Sequence, residues 1–209
     1  MSAALIQLGS ATTIVTDNFD GLTYTTETGW GSTGPASTGQ WTVAALPAGP
    51  QGRTAIDDNQ LGYTGVPTPP SGTGYGQFSN GNNGTWTGTL TDTAGHAFNA
   101  GDKVTIDLFA AGRNVGSGAL TINVSLIGAA TINLGNFTPT VGSWNAVSSN
   151  EGTIVTAGTY NVQFTSIAQS GDRTTFIDNV SYDVTEVPEP SSAALLGLGG
   201  LALILRRRK

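Results

Sequence analysis

Apolar and polar residues alternate along much of the second half of the chain. Large apolar side chains occupy every second position in residues 104–108, 120–126 and 160–164, with polar residues between them. Shorter alternations lie in 85–90 and 175–184, and turn residues separate the runs. Period-two alternation rich in β-branched residues predicts strands with one buried and one solvent-exposed face, as in antiparallel sheets.

The first half of the chain carries a weaker pattern. Residues 12–20 predict a short first strand that ends in an acidic turn, and Gly, Thr, Ser and Pro dominate residues 21–80. Pro67, Pro69 and Pro70 exclude a central strand at that point. Because no helical periodicity precedes residue 193, we predict an all-β fold, an antiparallel β-sandwich over residues 12–185.

Composition and charge narrow the function classes. Charged residues make up 11% of the chain, and glycine contributes 30 of 209 residues, which fits short strands joined by Gly-rich turns. Residues 1–185 contain four cations against twelve acids, which argues against a nucleic-acid partner. The absence of cysteine and the single histidine, His96, disfavour thiol chemistry, zinc sites and histidine-based triads.

The C-terminal segment combines an apolar run with a cationic end. The run 193–205 would form a helix of about 20 Å, short of the roughly 20 residues that span a membrane comfortably. Val187, Pro188, Glu189 and Pro190 form an extended joint within a 186–192 linker, because proline stops a helix from running back into the domain. The basic end, residues 206–209, should stay cytoplasmic. The predicted membrane and topology residues are Leu195, Leu196, Leu198, Leu201, Leu203, Ile204, Leu205, Arg206, Arg207, Arg208 and Lys209.

The order of these tail features resembles a known sorting signal. Val-Pro-Glu-Pro at 187–190, a Gly/Ala/Leu segment and a terminal arginine cluster are similar to the PEP-CTERM signal of Gram-negative bacteria. The resemblance implies an exosortase as partner, export across the inner membrane, tethering by the C-terminal helix, and cell-surface or extracellular location after processing. It also implies a producer of extracellular polysaccharide or biofilm.

The first eleven residues are interpreted as the remnant of a longer signal peptide. They contain a short apolar run without Lys or Arg, and Gly9-Ser10-Ala11 looks like a small-residue cleavage site. The alternative is an ordinary first strand that uses Leu5, Ile6 and Leu8.

Acidic residues at the two ends of the domain suggest a cation site. By parity, Asp178 shares a face with Phe176, Val180, Tyr182 and Val184, where an isolated carboxylate is costly to bury. Asp17, Asn18 and Asp20 cluster at the end of the predicted first strand. Such oxygen ligands suit Ca²⁺. The alternative is that Asp178 only accepts hydrogen bonds from turn amides.

A second resemblance covers residues 15–185. Asn18-Phe19-Asp20-Gly21, Phe176 to Ser181, and the central segment 100–113 look like galactose-binding-like jelly rolls, which include many carbohydrate-binding modules. The resemblance implies that the first and last strands are neighbours, stapled by a structural calcium with Asp20, Asp178 and Asn18 as ligands. This chain departs from the group in having Asp20 where Glu is usual.

Aromatic residues raise the possibility of sugar stacking. Trp30 and Trp41 lie in Gly/Ser/Thr-rich stretches and are the candidates for exposure, whereas Trp86 and Trp144 occupy strand positions and are assigned to the core. The carboxylates form no recognisable acid/base pair.

These features together predict an exported, non-enzymatic surface or extracellular-matrix protein with a structural or adhesive role. The alternatives are a carbohydrate-binding module that contacts exopolysaccharide and, third, a glycosidase or lyase.

Overall fold

A computed structural model describes residues 11–20, 37–38, 40–43, 52–57, 65–80, 87–116, 118–186 and 206. The strands in these ranges are β1 (Ala11–Asp17), β2 (Ser37–Thr38), β3 (Trp41–Val43), β4 (Gly52–Asp57), β5 (Tyr75–Asn80), β6 (Thr89–Asp92), β7 (His96–Phe98), β8 (Lys103–Gly112), β9 (Ile122–Gly128), β10 (Thr131–Phe137), β11 (Asn145–Ser148), β12 (Gly152–Thr153), β13 (Gly158–Ser166) and β14 (Thr174–Thr185). The described residues between 11 and 186 contain no helix, so the all-β prediction is confirmed.

The strands form two seven-stranded sheets. Sheet I has the order β11-β8-β14-β5-β4, with β1 beside β14 and β12 beside β8. Sheet II has the order β10-β9-β13-β6-β3-β2, with β7 beside β13. Every pairing between these strands is antiparallel, which confirms the predicted antiparallel sandwich.

The core lies between the two sheets and follows the period-two pattern. Alternate residues of β8, β9 and β13 point inward, and their side chains are at most 3% exposed: Val104, Ile106, Leu108, Ile122, Val124, Leu126, Tyr160, Val162 and Phe164. Strands β2 to β5 are not predicted by that pattern. In β5 all six residues are buried, so both faces are covered and no alternation marks the strand.

Trp41 corrects the sequence interpretation. It is fully buried, and its ring packs between Phe19, at 5.0 Å between ring centroids, and Phe164, at 6.1 Å. As the first residue of β3, which pairs with β6 of sheet II, it points into the sandwich. The prediction of an exposed stacking platform is therefore wrong for Trp41, whereas Trp30 lies outside the described residues.

A β-bulge in β14 divides its side chains between the two faces of sheet I. The register shifts between Asp178 and Ser181, and Asn179 adopts a left-handed conformation with φ of 52°. Phe176 and Asp178 therefore face outward, while Val180 and Tyr182 face the core. Of the four residues predicted to share a face with Asp178, only Phe176 does so. Val180, Tyr182 and Val184 lie on the core face, because the extra residue of a bulge inverts the alternation.

A hydrogen-bond network ties the two sheets together inside the core. The Tyr182 hydroxyl on sheet I donates to Asp92 Oδ2, at 3.3 Å, and accepts the Val162 amide N–H, at 2.8 Å, both on sheet II. Burial, with the Asp92 charge second, raises the pKa of Tyr182 above its usual value, so the phenol keeps its proton. His96 packs against the Tyr182 ring at 4.5 Å.

The two ends of the domain meet at one place. Ala11 of β1 pairs with Thr185 of β14, which confirms that the first and last strands are neighbours. Among the described residues no helix is long and apolar enough to cross a membrane. The predicted helix at 193–205 and the 187–190 joint lie outside those residues.

Candidate ligand-binding face

The Asp20 carboxylate fastens the loop formed by residues 65–74. Its Oδ1 accepts the amide N–H groups of Thr73, at 2.9 Å, and Gly74, at 3.1 Å, while Oδ2 accepts Asn18 Nδ2–H, at 2.8 Å. A Cβ added to Gly72, whose φ is +47°, would lie 1.9 Å from Asp20 Oδ1. The loop can approach the carboxylate this closely because residue 72 has no side chain.

Asp178 lies at the same loop and is fully buried. Its Oδ1 accepts the Asn179 amide N–H, at 2.7 Å. Ser71 Oγ–H approaches Asp178 Oδ2, at 3.5 Å, and donates more strongly to Asn179 Oδ1, at 2.8 Å. Burial raises the pKa of Asp178 to about 6; the Asp20 charge adds to the rise, and hydrogen bonds from Asn179 and Ser71 oppose it.

The structure thus gathers Asn18, Asp20 and Asp178, the three residues predicted from sequence, around one loop. The side-chain atoms of these residues that could bind a cation are all oxygens, the ligand atoms that Ca²⁺ takes in proteins. No group of three or more His, Cys, Asp or Glu side chains suited to a metal occurs in the described part of the chain. A calcium ion would therefore depend on Asp20 and Asp178 together with amide, hydroxyl or main-chain oxygens.

Two aromatic side chains lie partly exposed beside this cluster, on the outer face of sheet I. Phe109 is 36% exposed and pairs in register with Asp178. Trp144, just before β11, is half-buried and packs on Phe176 at 6.4 Å between ring centroids. Its Nε1–H donates to the Pro67 carbonyl, at 3.0 Å, so the loop that holds Asp20 also orients this ring.

We call the group formed by Asp20, Ser71, Phe109, Trp144 and Asp178 the sheet I site. Asp178 is buried, so the groups that can face a sugar ring are the two aromatic side chains and the half-buried Asp20 and Ser71. Sugar sites combine such an apolar surface with a few hydrogen-bonding groups. Trp144, which was assigned to the core from sequence, is half-buried and packs on a second hydrophobic cluster, not on the core between the two sheets. The residue precedes β11 and packs on the outer side of the sheet with Tyr75, Ala111 and Phe176.

Comparison with known proteins identifies the tail. Residues 186–209 match the PEP-CTERM protein-sorting motif, which confirms the sequence prediction. The motif indicates export and C-terminal sorting. No curated protein sequence matches the chain.

Solved structures share the fold of the body. The N-terminal CBM22-1–CBM22-2 tandem domain of Paenibacillus barcinonensis Xyn10C is 9% identical, with a TM-score of 0.52, covering 90% of this chain and 49% of that one. An apo cyclase from Fischerella sp. is 13% identical, with a TM-score of 0.56, covering 86% and 99%. An arabinose-bound α-L-arabinofuranosidase is 15% identical, with a TM-score of 0.54, covering 85% and 27%. The body therefore has the jelly-roll sandwich found in carbohydrate-binding modules, and these likenesses show the fold alone.

Proposed function

We propose that the chain is an exported surface protein whose sandwich contacts extracellular polysaccharide through the sheet I site. The observation that carries the proposal is the partly exposed pair Phe109 and Trp144, set beside hydrogen-bonding groups. Phe109 and Trp144 offer the flat apolar surface on which a sugar ring stacks. The sorting motif supports contact outside the cell, where such polymers occur.

In this proposal the C-terminal tail directs the export and processing of the chain. Strand β14 is paired on both sides up to Thr185, with Ala11 of β1 and Lys103 of β8, so the folded domain ends one residue before the matched motif. An exosortase acting at 187–190 would therefore cut without opening the sandwich. The apolar run 193–205 would tether the chain to the inner membrane until then.

Replacing Pro188, Glu189 and Pro190 together by alanine should leave the tail attached. The joint would lose the residues that mark it, so mass spectrometry of protein from exosortase-containing cells should show full-length chains in the membrane fraction. Alanine at Ser191 and Ser192 is the matched control, which should be processed normally. Equal release of the triple variant and the control would contradict this role.

Calcium is a second element of the proposal. The buried Asp178 carboxylate lies close enough to Asp20 for the two charges to repel, and a divalent cation would relieve that repulsion. The ion would staple the 65–74 loop to β14 and so hold Trp144 through Pro67. Its role would be structural, with no part in chemistry on a sugar.

Trp144→Ala should reduce binding to a recognised polysaccharide by about 5- to 30-fold, since stacking of this kind is worth roughly 1–2 kcal/mol. Affinity electrophoresis of the full chain in gels containing neutral polysaccharides would measure the change in mobility. Phe137→Ala, at a half-buried aromatic residue of sheet II, is the matched control and should bind as the wild type does. Unchanged retardation of the Trp144 variant would place binding elsewhere.

A further inference from the structure

The outer face of sheet II presents hydroxyl and amide side chains in two aligned rows. One row crosses five strands in register: Thr42, Thr91, Gln163, Ser125 and Asn133, of which Ser125 is only 9% exposed. The adjacent row crosses four strands: Thr89, Thr165, Asn123 and Asn136. We call these nine residues the two-row face. Among the described residues of sheet II, none that faces outward is Asp, Glu, Lys or Arg.

Hydrogen bonds between the side chains hold much of the two-row face in place. Asn123 Nδ2 donates to Asn133 Oδ1, at 3.0 Å, and to Asn136 Oδ1, at 2.7 Å, while Ser125 Oγ donates to Asn123 Oδ1, at 2.8 Å. Gln163 Nε2 donates to Thr91 Oγ1, at 3.0 Å. Side chains ordered in this way lose little further freedom when they bind a partner.

The geometry of the face is set by the sheet. Neighbouring strands lie about 4.8 Å apart, so the five-strand row is about 19 Å long, and the two rows lie roughly 7 Å apart. Donors and acceptors therefore repeat at regular intervals along a line that crosses the strands. A polymer of hydroxyl-bearing rings presents donors and acceptors along its length in the same manner.

The chemistry of the face selects among classes of partner. A protein partner would be expected to meet aromatic and aliphatic side chains at the centre of the contact, and the nine residues include none. An anionic polymer would need cations, and none faces outward there among the described residues. By contrast, the strands of sheet I carry outward charges at Lys103, Asp107 and Asp183.

We propose that the two-row face binds an uncharged polysaccharide. Because it lies on the opposite side of the sandwich from the sheet I site, the domain then joins two glycan chains. This inference rests on the proposed function, which supplies the other binding site. Cross-linking of matrix polysaccharide is the activity that results.

Four forms of the full chain test the bridge: wild type, Trp144→Ala, Gln163→Glu and the double variant. The probes are insoluble β-glucan and xylan particles, with binding measured by depletion from solution and bridging by particle aggregation in light scattering. Gln163→Glu keeps the shape of the side chain but places a charge at the centre of the two-row face. We expect each single variant to bind without aggregating particles, and the double variant to bind at least tenfold less than Trp144→Ala.

The matched control is Gln169→Glu, in the loop between β13 and β14, where Oε1 accepts the Thr121 amide N–H and glutamate can do the same. It should aggregate particles as the wild type does. Thr165→Val, which removes a hydroxyl without adding charge, should weaken bridging in the same direction as Gln163→Glu. Thermal melts verify that each variant is folded.

The outcomes separate the two ideas. Aggregation by Gln163→Glu equal to the wild type overturns the two-row face and leaves the sheet I site standing. If the Trp144→Ala single variant binds no particles at all, the two-row face is likewise overturned and the sheet I site stands. If Trp144→Ala binds fully and Gln163→Glu does not bind, the sheet I site is overturned. The joining of two glycan chains is then overturned as well, but binding at the two-row face is supported. A wild type that binds no particles overturns both.

Discussion

Calcium should raise the thermal midpoint of the protein at pH 7.5 by about 5–10 °C over chelator-treated protein. A ligand present at about 100 times its dissociation constant stabilises the folded state by roughly 2.7 kcal/mol. For a domain of this size each kcal/mol shifts the midpoint by about 2–4 °C. The expected ligands are Asp20 and Asp178, which no described cation neutralises at the 65–74 loop. Differential scanning calorimetry of the full chain with calcium and with chelator gives the measurement.

The stability of the calcium-free protein should fall as the pH rises from about 4 to 6, whereas the stabilisation by calcium should grow over that range. In chelator, the pKa of Asp178 rises from 3.8 to about 6 on folding, so the folded state holds a proton that the unfolded state has released. The stability that this proton confers is fully present below pH 3.8 and is lost as the pH rises through about 6. Integrated over that window, it amounts to about 3 kcal/mol. Calcium needs the ionised carboxylate, so its stabilisation should grow over the same interval.

Asp178→Asn tests whether this carboxylate, and no other, is responsible for the calcium response and the pH dependence. The amide keeps the shape of the side chain, but the variant should lose most of the calcium response and most of the pH dependence between pH 4 and 6. Asp183→Asn, on the exposed side of the same strand, is the control and should retain both. Identical midpoints with calcium and chelator at pH 7.5 would rule out a structural ion and leave the hydrogen bonds from Asn179 and Ser71 as the only groups that stabilise the ionised Asp178 carboxylate.

The alternation of apolar and polar residues predicts the sandwich because it is a local signal, whereas the neighbouring first and last strands are expected only from the resemblance to galactose-binding-like jelly rolls. It does not predict the direction of Asp178. Parity alone places this residue on the core face, and the bulge at Asn179 turns it toward the 65–74 loop instead. A bulge depends on how β14 fits β1 and β8 at once, which no local pattern records.

The two-row face also cannot be predicted from the sequence, because it depends on how distant strands pair. Thr91, Gln163 and Asn133 are far apart along the chain and become neighbours only through the register of four strands. Their separate strands show ordinary polar positions on a wet face. What distinguishes the face is its continuity and its lack of charge, and both are properties of the assembled sheet.

The tryptophans show how composition misleads when loops and short strands alternate. Trp41 lies in a Gly/Ser/Thr-rich stretch that looks like a loop, yet the three-residue strand β3 pairs with β6 and turns the ring inward. Trp144 adjoins a strand and therefore looks like core, yet it packs on the outside of sheet I. Neighbouring residues are a poor guide to burial where a strand is this short, since the partner strand decides the face.

Trp41→Ala should therefore destabilise the protein by about 3–5 kcal/mol, the usual cost of removing a fully buried large aromatic side chain. The loss combines the burial of the indole with a cavity between Phe19 and Phe164, whose rings lie 5.0 and 6.1 Å away. Urea denaturation of the full chain, followed by far-ultraviolet circular dichroism, measures the difference in unfolding free energy.

The same variant distinguishes a core role from a sugar-binding role. Trp41→Phe keeps a ring in the cavity, so it should cost clearly less than alanine, remain folded at 25 °C and bind polysaccharide as the wild type does. Trp144→Ala should show the opposite combination, with a modest loss of stability and a large loss of binding, since its ring is only half-buried. A Trp41→Phe protein that is fully stable but no longer binds would return Trp41 to the ligand site. The buried position of the ring, at 0% exposure, leads us to expect the first result.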